Sequence, residues 1–156
     1  MSIEPIRRSV TVACPPERAF RLFTEEIGAW WPVEVHSRAV DDFAGQDVKV
    51  ERIEFQGRVG GRVLEHMSNG RSLPWAEVRV WEPPGRFVLS WHPSSSPRPP
   101  TEVEVRFSAS GDGTMVELEH RGWEALGPSV AEIRGGYAAG WKPTLERFRA
   151  YTEEPA

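Results

Sequence analysis

Residues 101–121 read TEVEVRFSASGDGTMVELEHR, and the pattern within them decides the fold. In Thr101–Ser110, Val103, Val105 and Phe107 alternate with Glu102, Glu104 and Arg106. Successive strand side chains point to opposite faces, so one face is apolar and the other charged. After the turn GDG, Thr114–Arg121 alternates again, with Val116, Leu118 and His120 on one face and Met115, Glu117 and Glu119 on the other. Two such strands form an antiparallel pair with a single buried face. That face needs cover, and the C-terminal segment supplies it. From Ser129 to Tyr151, the residues Ile133, Tyr137, Trp141, Leu145, Phe148 and Tyr151 recur at three- and four-residue steps. This stripe predicts a long amphipathic helix. Gly140 and Pro143 lie inside it and predict a kink or restart near Gly140.

Further strands precede this pair. Asp47–Gln56 alternates, but its apolar parity changes from Val48 and Val50 to Ile53 and Phe55, which predicts a bulge near Glu51 or Arg52. Gly60–Met67 and Leu73–Pro84 flank SNGR, whose Asn-Gly pair predicts a hairpin turn. Arg86–His92 is another strand, and PSSSPRPP after it reads as a solvated connection. Val33–Gly45 reads as irregular. At the start, Ile6–Cys14 is a first strand. Pro16–Phe23 is a short helix, with proline near its start and Ala19, Phe20, Leu22 and Phe23 on its apolar side. A second short helix, Thr24–Trp30, stops before Pro32, because the residue before a proline resists helical geometry. The reading is one α+β domain over residues 1–156. Its curved antiparallel sheet has about seven strands and wraps on a long C-terminal helix, with two short helices after the first strand.

EIGAWWP (Glu26–Pro32) sets a packing problem, because neighbouring helix positions point about 100° apart and two large rings cannot share one face. The bend at Pro32 resolves it if Trp30 packs inside and Trp31 sits nearer an opening.

Composition narrows the function. Hydrophobic residues are 39% and charged residues 27%, as in a globular protein, and no apolar run is long enough to span a bilayer. MSIEPIRRSV lacks the apolar core of a signal peptide, so the expected location is cytoplasmic. Net charge is −4 without a basic run, which leaves no footprint for nucleic acid. One cysteine, Cys14, excludes an internal disulfide and a cysteine-based zinc site, and is expected to pack as a small hydrophobe. Seven tryptophans suit a demanding core or a pocket wall.

Four stretches carry a resemblance: VACPPERAFRLFTE with the following WWP (Val12–Pro32), VWEPPGRFVLSW (Val80–Trp91), GTMVELEHRGW (Gly113–Trp123) and GWKPTLERFRAY (Gly140–Tyr151). With the element order, they make the chain resemble the helix-grip fold of the START/Bet v 1-like (SRPBCC) superfamily. Within it, the chain is similar to the activator of Hsp90 ATPase homologue 1-like family. The resemblance implies a largely apolar cavity between sheet and last helix, used in the superfamily for lipids, hormones and polyketides, and sometimes for reactions. It also brings in an Hsp90-type chaperone as a partner to consider.

Chemical motifs are sparse. His36, His66, His92 and His120 include no pair at helical i, i+4 spacing. In the family's usual strand order one strand separates those of His92 and His120, placing their backbones about 10 Å apart, too far for a shared zinc with ligands at about 2.0–2.1 Å. No GxSxG occurs, and the serines at 94–96 lie in a loop. GGRV (60–63) precedes a strand, so it is no phosphate-binding turn. No metal or cofactor is expected. His120 faces inward and is the one candidate acid–base catalyst, with Glu65 as a potential partner; the alternative is a histidine hydrogen-bonded into the core. Trp91, Phe107, Leu118, Trp141, Leu145 and Phe148 converge from sheet and helix. With Trp30, Trp31 and His120 they are the expected cavity residues, unless the same rings fill a solid core. The expected function is therefore binding of a hydrophobic or amphipathic small molecule. A cyclase- or hydrolase-like enzyme using His120 and an Hsp90-type co-chaperone are the alternatives. The chain is expected as a monomer or homodimer.

Overall fold

A computed structural model describes residues 3–32, 47–92 and 99–153. Among the described residues seven strands form one antiparallel sheet: β1 (Ile6–Val12), β2 (Val50–Phe55), β3 (Arg62–Met67), β4 (Ser72–Glu82), β5 (Arg86–Trp91), β6 (Thr101–Ser110) and β7 (Gly113–Arg121). Their spatial order is β1-β7-β6-β5-β4-β3-β2. The first two strands thus occupy opposite edges, and the chain must cross the sheet between them. Helices α1 (Pro16–Thr24) and α2 (Ile27–Trp30) lie on that crossing, and the long helix α3 (Val130–Thr152) lies along the inner face. The expected α+β helix-grip architecture is what the chain adopts.

The alternation in residues 101–121 becomes register. Val103 pairs with His120, Val105 with Leu118 and Phe107 with Val116, all on the inner face. Phe87, Leu89 and Trp91 of β5 extend that face and are buried. Against it pack Phe20 and Phe23 of α1, and Trp141, Leu145 and Phe148 of α3. Phe20, Phe23, Phe87 and Phe107 meet at ring-centroid distances of 5.1–6.2 Å, mostly edge to face, the geometry favoured by the ring quadrupole. Each such ring, fully buried, contributes roughly 1.5–3 kcal/mol over exposure.

The bulge is where parity put it: the β2–β3 register shifts between Val50 and Arg52, leaving Glu51 as the extra residue. Two further shifts were not foreseen, between β3 and β4 at Val63/Leu64 and between β4 and β5 at Val78/Val80. The hairpin turn uses Gly70 at φ +86°, a conformation that only glycine adopts without strain. Two boundaries differ from expectation. Thr24 ends α1, because the Glu25 N–H still reaches Arg21 O, so α2 is one turn only. Helix α3 also runs on through Gly140 and Pro143 without a restart. A proline there removes one N–H, and the carbonyl it would have met belongs to exposed Ala139, which water can serve. The expected irregular stretch Val33–Gly45 and most of the loop after His92 lie outside the described residues.

On the outer face, Glu104 is buried although its parity is that of a solvent-facing residue. Arg86, Arg106 and Arg121 all donate to its carboxylate and cover it. Burial alone would raise its pKa, but these three hydrogen bonds outweigh burial and hold it down to about 2. Glu104→Gln should cost about 1–3 kcal/mol in urea unfolding, since it withdraws the shared anion from three guanidinium groups. A cost that vanishes at every salt concentration would mean the network is ornamental.

Candidate functional site

The inner face near the end of α2 is lined by indoles. Trp75 comes from β4, Trp91 from β5, Trp141 from α3 and Trp31 from the residue that caps α2. The Trp31 ring centroid lies 4.7 Å from that of Trp75 and 6.0 Å from those of Trp91 and Trp141. Trp30 lies 5.9 Å away and packs on Phe23 and Phe148. Both members of the tryptophan pair are therefore buried. Trp31, expected nearer an opening, is itself buried, its ring under the sheet where the backbone turns extended at a ψ of 133°.

Polar bonds fix part of this wall. Trp91 Nε1 donates to Tyr137 Oη at 3.1 Å, and Trp30 Nε1 donates to Leu22 O at 3.1 Å. Trp141 Nε1 donates to His120 Nδ1 at 3.0 Å. An indole N–H only donates, so His120 Nδ1 carries the lone pair and Nε2 carries the proton. Nε2 donates that proton to Thr101 Oγ1, with nitrogen and oxygen 2.7 Å apart. The imidazole packs 4.2 Å from the Trp123 ring, whose own N–H donates to His120 O. Trp123 opens a 3-10 turn, Trp123–Ser129, after Gly122 at φ +86°. The sequence reading missed that turn; the Gly122–Trp123 step was its signal. Burial pushes the His120 pKa down to about 3, so the ring is neutral near pH 7.

Both His120 nitrogens are engaged by Thr101 and Trp141, and Glu65, although buried, sits on β3 with β4, β5 and β6 between its strand and that of His120. The geometry is that of a histidine bonded into the core. Cys14 is also buried, and burial raises its thiol pKa, away from the reactive thiolate. Among the described residues no three His, Cys, Asp or Glu side chains could share a metal ion; His36 lies outside them.

Of the expected cavity residues, Trp31, Trp91, Leu118 and Trp141 border one residual void, while Trp30, Phe107, His120, Leu145 and Phe148 do not. Trp75 borders it too and was not foreseen. Strict alternation cannot place Trp75, Val78 and the ring of Trp81 on one face, but the two register shifts of β4 do. The void measures about 10 Å³. That is near the space of one water probe and far below the roughly 300–1,000 Å³ of a typical ligand pocket. A larger open hollow of about 760 Å³ lies around β1 and β7, bordered by Arg7, Glu104, Glu119, Arg121, Lys142 and Glu146. Several of these are already paired, Arg7 with Glu119 and Arg121 with Glu104.

A curved sheet gripping a long helix over an aromatic interior defines the helix-grip class. The chain belongs to the activator of Hsp90 ATPase homologue 1-like family, whose family model matches residues 13–153. It is similar to Txn09, an anthrahydroquino-gamma-pyrone synthase solved in complex with SUM, at 31% identity, with 96% of this chain and 97% of that one covered and a TM-score of 0.63. It is also similar to CalC from Micromonospora echinospora, a self-sacrificing resistance protein, at 26% identity, 96% and 94% coverage and a TM-score of 0.66. An Aha1 dimer from Colwellia psychrerythraea, at 17% identity, 97% coverage of both chains and a TM-score of 0.64, shares the fold. No curated protein matches the chain. Among the described residues no helix is long and apolar enough to cross a membrane.

Proposed function

We propose that this protein binds a hydrophobic or amphipathic small molecule between the sheet and α3, without transforming it. The observation that carries this reading is the meeting of Trp31, Trp75, Trp91 and Trp141 around one void, in a fold consistent with small-molecule binding. Leu118 borders the same void, and Trp30, Phe107, His120, Leu145 and Phe148 would form the outer wall and floor. Because the void is small, binding has to move side chains, and affinity is reduced by the cost of opening. Likeness to Txn09, a synthase named for an anthrahydroquino-gamma-pyrone, supports a ring-bearing ligand. The same likeness to Txn09, a synthase, supports a cyclase-like second reading, but the engaged nitrogens of His120 do not favour that residue as its catalyst. The likeness to the Aha1 dimer is one of fold and carries no chaperone reading.

Titration of the wild-type chain with a panel of lipids and fused-ring aromatic compounds, read by tryptophan fluorescence and native mass spectrometry, tests the proposal. A saturable quench with a matching one-to-one mass is the expected result. No bound mass and no saturable quench across the panel would overturn it.

A further inference from the structure

On the face of the sheet turned away from α3, three side chains join a hydroxyl, an imidazole and a carboxylate. Glu54 of β2, His66 of β3 and Ser72 of β4 point outward, because their chain neighbours Ile53, Glu65, Met67 and Leu73 are buried on the inner side. Register puts His66 between Ser72 on one flank and Arg52 on the other, so Glu54, two positions on, is its diagonal neighbour. The extra residue Glu51 shifts the parity of β2 and so turns Glu54 to this face. His66 Nε2 lies 2.9 Å from Glu54 Oε1, and His66 Nδ1 lies 2.7 Å from Ser72 Oγ. A carboxylate only accepts, so Nε2 carries the proton of the neutral ring and donates it to Glu54. Nδ1 then holds the lone pair and accepts from the Ser72 hydroxyl. The hydrogen bond from His66, followed by that from Gln56, holds the Glu54 carboxyl below its ordinary value, in the ionised form this order needs.

A hydroxyl that donates to an imidazole, itself oriented by a carboxylate, is the arrangement that activates a serine. We propose that Ser72 is an acyl-accepting nucleophile for small activated esters, with His66 as its general base and Glu54 as the residue that positions the ring. Ser72 is exposed, and the side chains of His66 and Glu54 are 21% and 36% exposed, so an ester reaches the hydroxyl from solvent. A strand surface grips such an ester weakly, and the ester must bring a good leaving group of its own, as aryl esters do. Ser72 Oγ attacks the carbonyl carbon while its proton passes to His66 Nδ1. The new C–O bond forms, the bond to the aryl oxygen breaks, and the proton leaves with the phenol. Water deprotonated by the same nitrogen then releases the acyl group as a carboxylic acid and restores Ser72. This chemistry is separate from the small-molecule reading of the interior, and neither depends on the other.

The test mixes the full chain with 4-nitrophenyl acetate, follows the released phenolate by absorbance and locates the acetyl group by peptide mass spectrometry. Ser9 and Ser108, exposed on the outer face of the same sheet, are the internal controls. Ser72 should be acetylated at least about tenfold faster than either. His66→Gln should bring Ser72 down to their rate, and Ser72→Ala should remove the fast phase of phenolate release. Glu54→Gln should slow Ser72 about tenfold, with the rates at Ser9 and Ser108 and the thermal midpoint unchanged, and Glu54→Asp, which keeps the charge, should lose less. Should His66→Gln fail to fold, the wild-type ratio and Glu54→Gln decide. Equal rates at Ser72, Ser9 and Ser108 in wild type overturn the proposal, as does full reactivity of Ser72 in folded His66→Gln. An unchanged rate in Glu54→Gln overturns the role of Glu54.

Discussion

Trp141→Ala should lower the folding free energy by about 3–5 kcal/mol, the usual range for truncating a ring in a packed core. The ring is 4% exposed and lies 5.5 Å from Trp91, with Tyr137 stacked against it at 6.2 Å. Truncation also strips His120 Nδ1 of its donor and leaves a buried acceptor unmet. Denaturant unfolding with an unchanged slope is the measurement. Trp141→Phe separates the two contributions: it keeps most of the apolar area and should cost about 1–2 kcal/mol through the lost N–H. A cost below about 2 kcal/mol for the alanine variant would show an interior much looser than these ring distances describe.

Acid should destabilise the protein through His120. The folded pKa of about 3 lies below the ordinary 6.5, so between those values the unfolded chain holds a proton that the folded chain refuses. Stability from this group is complete above pH 6.5 and is lost progressively toward pH 3. The total loss is on the order of 5 kcal/mol. Glu104 acts in the same direction lower down, between 4.5 and about 2, as its arginine-bonded carboxylate is forced to protonate. His120→Gln keeps one acceptor and one donor but does not titrate. Unfolding of both proteins at pH 7, 5.5 and 4.5 should therefore show a gap in pH dependence that opens below 6.5. Parallel curves would contradict a neutral, buried His120.

Much of the architecture was legible because it depends on short-range regularities. The alternation in Thr101–Arg121, the Asn69–Gly70 turn and the stripe from Ile133 to Tyr151 each specify one local geometry, and the parity break near Glu51 revealed a bulge. The site was less legible. Trp75 enters the interior only because β4 slips against both neighbours, and slips are set by pairing between strands. Trp31 depends on which way the chain turns after a one-turn helix, and its seven-residue context did not settle that. The burial of Glu104 required three arginines from three different strands to converge. His120 was legible as inward-facing, but its role was fixed by a tryptophan more than twenty positions later in the chain.

The register shifts also divide the sheet into two kinds of material. From β1 through β7 and β6 to β5 the ladder is unbroken, while each pairing from β5 through β4 and β3 to β2 contains an irregularity. An unbroken ladder is stiff, since any adjustment must break several bonds together. An interrupted one can flex at the interruption with little loss. The fold therefore sets a rigid anvil, carrying His120 and Trp91, against a compliant jaw carrying Trp75, so any adjustment to a guest of the proposed kind would fall to β3 and β4.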